Sequence, residues 1–238
     1  MTKSARRTGL NVVAGSGFYV QVAHPAWVAT ATVEDLAAHI IGELTDGFDG
    51  TSVRAGIIGE IGTHTPIHPD EEKALRAAAR AHHATGAAIN VHLAIFGQEG
   101  HRVLDVFAEE KVDPRRVALS HLDERPDAAY QRSLAERGAY IEFDCFGSEC
   151  YWDEDGVREA SDAERVEALL RLLDAGFERQ MLLSQDLCTK IQLRHYGGMG
   201  YDHLLRTIVP RLRRRGVNDS TLHTLLVENP ARLLANSN

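Results

Sequence analysis

Short apolar runs alternate with amphipathic, helix-like runs along the whole chain, and this alternation constrains the fold more than any other feature. Residues 10–14, 55–61, 87–91, 117–119, 139–143 and 181–183 read as strands. They are apolar along their length, as strands covered on both faces are. Helices are expected at 33–46, from Pro69 to a stop at Gly86, at 99–110, at 128–137 before Gly138, at 165–174, at 201–214 and at 222–227. The start signals support these positions. Thr32 and Asp35 make an imperfect capping box, Pro69 precedes Glu71 and Glu72, and Ser161 with Glu164 makes a full one. Two longer loops interrupt the series, 147–160 with Tyr151 and Trp152 beside several acids, and 188–200.

Strands and helices in strict alternation mean α/β with a parallel sheet, open or closed. No linker or composition shift breaks the series, so a single domain over residues 1–238 is expected. At 238 residues the chain is close to the ~250 of a TIM (β/α)8 barrel. It offers six strands where a closed barrel needs eight, so the expectation is an incomplete barrel with about six βα units.

The formal charge of −8 gives no basic face for nucleic acid. No run approaches the roughly 18 apolar residues of a membrane span, and the polar start, residues 1–8, does not read as a signal peptide. Cys145, Cys150 and Cys188 are too few and too scattered for a disulfide framework, which favours a cytoplasmic home. Cys145 and Cys150 read as buried small apolar residues.

Four residues able to bind metal occupy equivalent places, each just past an apolar strand: Glu60, His92, His121 and Asp186. Their spacings are 32, 29 and 65 residues, about one, one and two βα units. The skipped unit ends at Glu142 and Asp144. The carboxyl ends of parallel strands share a rim where sites assemble. Two imidazoles and two carboxylates there suit a borderline divalent ion such as zinc. The other histidines carry no such pattern. His64 and His68 stand four apart, but Thr65-Pro66 argues against a helix between them. His195, in the loop after Asp186, is the best outside candidate. The basic run 211–215 reads as a solvated helix C-terminus, and Gly197-Gly198-Met199-Gly200 as a turn or substrate loop.

With these residues in view, the chain resembles the phosphotriesterase family of the amidohydrolase superfamily over about residues 9–235. The resemblance rests on residues 13–19 (VAGSGFY), 55–62 (AGIIGEIG), Ser120-His121-Leu122-Asp123, Leu183-Ser184-Gln185-Asp186 and Glu228-Asn229-Pro230-Ala231. It implies a (β/α)8 barrel with two divalent metals, usually zinc, at the carboxyl rim. By resemblance His92 and His121 ligate the more exposed metal. Glu60 takes the bridging position that many members fill with a carboxylated lysine, and it is anionic without added CO2. Asp186 binds the buried metal and accepts a proton from the attacking water. Tyr19 resembles the tyrosine that faces substrate in lactonase-like members. The activity implied is hydrolysis of a lactone, carboxylic ester or phosphotriester by a metal-activated water.

The family begins with a His-x-His pair, and this chain has none. It starts at what resembles strand three, so about 60 residues, two βα units, are expected to lie outside it. One tightly held zinc is then expected, on Glu60, His92 and His121. The unpaired edges call for a partner that closes the barrel, a homodimer being one form. Two other readings compete: a non-catalytic metal- or ligand-binding remnant, and a metal-free enzyme with a Schiff-base Lys190.

Overall fold

A computed structural model describes residues 2–153 and 156–235. The chain divides into two compact units, a first running to Ala118 and joined by the described residues from Leu233 on, and a second, Leu119–Arg232. Each is α/β.

In the first unit α1 (Thr2–Thr8) precedes three parallel strands, β1 (Gly15–Ser16), β2 (Ile57–Gly62) and β3 (Ile89–His92). Gly15 lies opposite Ile57 and Ile58 opposite Ile89. Three helices follow the expected boundaries closely: α2 (Val33–Thr45), α3 (Pro69–Thr85) and α4 (Gly100–Glu109). The capping box before α2 is complete. Thr32 Oγ1 accepts from the Asp35 amide at 3.1 Å, and the Asp35 carboxylate accepts from the Thr32 amide at 2.9 Å. Gly86 ends α3 at φ 71°, a left-handed stop that glycine adopts without steric cost. The buried face of α3 is mostly alanine, and the helix packs on α2, α4, β2 and β3. Small side chains allow that close approach. Leu36, Ile40, Ile58, Ile61, Leu75 and Ile89 are fully buried, each contributing about 1.5–3 kcal/mol.

Residues 10–14 do not form the strand their apolar character suggests. The Ala14 carbonyl accepts from the amide of Gly56, just before β2, and Leu10, Val12 and Val13 stand 66%, 47% and 51% exposed. Apolar side chains favour a strand only where a backbone ladder is available, and the ladder here begins at Gly15. A second difference concerns register. Glu60 and His92 lie inside β2 and β3 rather than just past them. The β2–β3 register shifts between Ile58 and Ile61, around the cis Gly59-Glu60 peptide.

Strand β4 (Val117–Leu119) crosses the boundary between the units. In the second unit α5 (Ala128–Glu136) leads to β5 (Tyr140–Phe143). The expected loop 147–160 holds a small antiparallel hairpin, β6 (Tyr151–Trp152) with β7 (Val157–Arg158); its acids at 154 and 155 lie outside the described residues. The capped helix α6 (Asp162–Asp174) starts three residues before the expected 165, directly behind the Ser161 cap. Strand β8 (Met181–Leu183) pairs parallel with β5, Ile141 opposite Met181. A π-helical turn, Leu204–Ile208, opens α7 (Val209–Arg214), and α8 (Asp219–His223) and α9 (Asn229–Leu234) follow. The basic run ends α7 as expected, with Arg213 2.8 Å from Asp219 and Arg215 paired to Glu167. Setting the β6–β7 hairpin aside, the six remaining described strands alternate with helices, the strand count of an incomplete barrel. No described helix is long and apolar enough to cross a membrane.

Candidate functional site

In the first unit, Glu60 on β2 and His92 on β3 bring ligand atoms within 4.8 Å of one another. The Glu60 side chain is exposed and His92 is half-buried. Tyr19 joins them. Its hydroxyl lies 3.3 Å from His92 Nδ1, and the two ring centroids are 4.6 Å apart at 60°. Gly62 makes this possible, because a Cβ there would collide with the Tyr19–Val20 peptide.

A buried carboxylate anchors the same segment. Glu71, fully buried on α3, accepts from the Gln21 amide at 2.9 Å, the His64 and His68 amides at 2.9 Å each, and His64 Nδ1 at 2.5 Å. Burial alone would raise its pKa, but the three backbone N–H groups and His64 outweigh that and hold the carboxyl below its ordinary range. His64 and His68 therefore belong to a loop around the cis Thr65-Pro66 peptide, as the sequence suggests.

In the second unit His121 is buried at φ 63°, a left-handed conformation that costs a non-glycine residue roughly 1–3 kcal/mol. Asp144 holds it there. One oxygen accepts from the His121 amide at 2.9 Å, and the other lies 3.1 Å from Nδ1. His121, Asp144 and the Cys145 thiol bring ligand atoms within 4.8 Å of one another. A carboxylate on Nδ1 fixes the proton there and leaves the lone pair on Nε2, the arrangement of histidines that bind metal.

The next layer is unusually acidic. The Asp123 carboxylate accepts from the Asp144 amide at 3.2 Å and the Cys145 amide at 3.1 Å. It pairs with Arg165 Nε at 3.2 Å, both side chains being fully buried. Burial, then the nearby Asp144 charge, push the Asp123 carboxyl up to about 7 despite Arg165. Burial pushes Glu124 up to about 8. Asp144 goes the other way, because His121 outweighs its burial. Glu142 accepts from Ser120 at 2.8 Å and Ser184 at 3.3 Å.

Asp186 is exposed, three residues past β8, and its amide donates to the Asp144 carbonyl. Among the described residues it belongs to neither ligand group. The adjacent Gln185 gathers the loop ends, donating to the Gly200 carbonyl at 3.0 Å and accepting from the Leu204 amide at 3.0 Å. Cys145 is buried as expected and its pKa is driven far up by burial, whereas Cys150 is exposed, contrary to expectation. Cys150 follows β5 on the way into the hairpin, with the Ser148 hydroxyl 3.7 Å from its thiol. Lys190 lies over the Tyr196 ring at 4.6 Å, and His195 packs edge-on to the same ring.

Asp123, Asp144 and Arg165 received no role from the sequence. Asp144 stands at a strand end, where a partner for a rim ligand belongs. Arg165 offers a subtler signal, a cation in the first turns of a helix, where the macrodipole disfavours it.

A sequence profile of the phosphotriesterase family matches residues 1–234. The chain belongs to the phosphotriesterase family. It is 35% identical over 237 residues to N-acetyltaurine hydrolase of Xenopus tropicalis, covering 98% of this chain and 68% of that protein. The crystal structure of a resiniferatoxin-binding protein from Rhodobacter sphaeroides matches with a TM-score of 0.96 at 41% identity, over 99% of this chain and 66% of that one. A lactonase from Listeria monocytogenes matches with a TM-score of 0.87 at 27% identity, over 100% of this chain and 77% of that one. The chain thus spans about two thirds of the first two relatives and somewhat more of the third. Family membership accords with the α/β fold and with ligand-type residues on its strands.

Proposed function

We propose that the chain is a metal-dependent hydrolase of small molecules, with Glu60, His92, His121 and Asp186 as its metal ligands. The residues carry over one by one from the family motifs. The observation that best supports the reading is the Glu60–His92 pair, a carboxyl oxygen and an imidazole brought together from adjacent parallel strands. These donor types suit zinc. When bound, the ion lowers the pKa of a water and polarises the bond to be broken.

The chain's own groups do the rest. Asp144 keeps the His121 proton on Nδ1. Asp186, exposed, accepts the proton of the attacking water as general base. The Tyr19 hydroxyl, over His92, orients the substrate. The substrate we favour is a lactone or carboxylic ester, with phosphotriesters next; the Listeria lactonase supports the first. The N-acetyltaurine hydrolase relatives support a second reading, an acetylated amine. We further propose that residues 1–238 act as one catalytic domain, that a homodimer is the partner arrangement, and that the three free thiols suit the reducing cytoplasm.

The test is metal analysis with a substrate panel of a lactone, an aryl ester, a phosphotriester and an N-acetyl amine. One tightly held zinc per chain is expected, lost in His92→Ala and in His121→Ala. Two stoichiometric ions would overturn the single-metal reading, and full occupancy in either variant would overturn the ligand assignment. A zinc-loaded chain that turns over none of the four substrates would instead be the non-catalytic remnant.

A further inference from the structure

We propose that Arg165 is a positioning residue for His121, acting through Asp123 and Asp144. The inference rests on the reading of His121 as a metal ligand. Its geometry lies entirely within the second unit.

Arg165 is fully buried, and it stands in the first turns of α6, where the helix dipole opposes a cation. A charge placed so unfavourably is held by its surroundings. Nε is 3.2 Å from the Asp123 carboxylate and 3.2 Å from the Asp123 carbonyl, and Nη1 donates to the Ser148 carbonyl. Glu159 and Asp162 lie 3.7 Å from the other guanidinium nitrogens. One planar fork therefore ties together the segment after β4 and the segment after β5.

The connection continues without a gap. The Asp123 carboxylate, fixed by Arg165, takes the amides of Asp144 and Cys145. Those two bonds set where the Asp144 side chain leaves the backbone. Asp144 in turn grips both the amide and Nδ1 of His121, and so sustains the left-handed backbone that aims the ring. Loosening the fork would let Asp123 and the 144–145 peptide shift, and His121 would lose its orienting partner. A lysine could keep the charge but not the several directed bonds, because its ammonium is a single point on a flexible stem.

The experiment compares Arg165→Lys with wild type and with Arg158→Lys, an exposed arginine paired to Glu164. Two readouts are taken. The first is the His121 Nδ1–H proton resonance in metal-free protein, assigned by its loss in His121→Gln. The second is zinc affinity by chelator competition. In Arg165→Lys the resonance is expected to broaden into solvent exchange, and zinc affinity to fall about ten- to a hundred-fold, while Arg158→Lys matches wild type. A folded Arg165→Lys that keeps both the resonance and wild-type affinity overturns the proposal. If Arg165→Lys does not fold, Asp123→Asn decides by the same readouts: loss of both supports the relay, and retention of both overturns it. If wild type binds no zinc, the ligand reading of His121 falls, and the metal-free resonance still decides whether Arg165 positions the ring.

Discussion

Glu71 in the first unit and Asp123 in the second are both completely buried carboxylates, yet their surroundings move them in opposite directions. Glu71 sits among backbone N–H groups that aim partial positive charge at it, with a histidine adding to them. Asp123 also receives two backbone N–H groups and pairs with a buried arginine. It nevertheless rises to about 7, because its burial and then the charge of Asp144 beside it outweigh those partners. A formal ion pair is thus no guarantee that a buried acid stays ionised. Neutral donors without competing acids do better than a cation shared among several carboxylates.

The largest expected effect is on the arginine side. Arg165→Met leaves Asp123, Glu159 and Asp162 without their common cation and should cost about 3–5 kcal/mol in urea unfolding. On the other side, Glu71→Ala strands three backbone donors and should cost about 3 kcal/mol, with Glu71→Gln nearer 1–2 because one oxygen remains. A Glu71→Ala loss larger than that of Arg165→Met would break the comparison.

Titration of metal-free protein sharpens it further. Glu124 has an ordinary pKa of 4.5 and is raised to about 8 in the fold. Between those values the folded chain holds a proton that the unfolded chain has released. Stability should therefore fall as pH rises through this window, by up to about 1.4 kcal/mol per pH unit, and Glu124→Gln should flatten that slope. Glu71 has the opposite sign. Its folded pKa lies below 4.5, so its contribution is complete above that value and is lost as pH falls through the folded pKa. Glu71→Gln should soften acid unfolding and leave the neutral slope alone. The smallest effect is a control across both units. Thr32→Ala and Ser161→Ala each remove one side of a reciprocal capping box and should cost about 1 kcal/mol alike.

How much of this was legible in the sequence follows from what each feature depends on. Helix boundaries are local, and Thr32, Pro69, Gly86 and Ser161 mark them within a residue or two. Strands depend on a neighbour, so the apolar 10–14 run misled while 117–119 and 181–183 matched. The Glu60–His92 pairing was readable because one βα period separates two ligand-type residues. The left-handed turn at His121 was not, since nothing about a histidine after Ser120 announces a positive φ. Arg165 stood in the sequence only as the expected first residue of a helix. Its burial depends on three carboxylates contributed by segments up to 42 residues away, and such a meeting leaves no periodic trace.

Gln185 has a consequence for how such a chain can change over generations. Its one amide clasps Gly200 and Leu204 beside Asp186, and from within the intervening stretch Cys188 and Gln192 also hold Asp186. Doubling the length of a flexible loop costs only about 0.6 kcal/mol once its ends are joined. The stretch between Gln192 and Gly200 can therefore be lengthened as an insert while Cys188 and Gln192, which touch Asp186, stay in place. With Asp186 in its proposed role, recognition and chemistry become separately heritable, and a new substrate can be acquired without rebuilding the groups that would act on it.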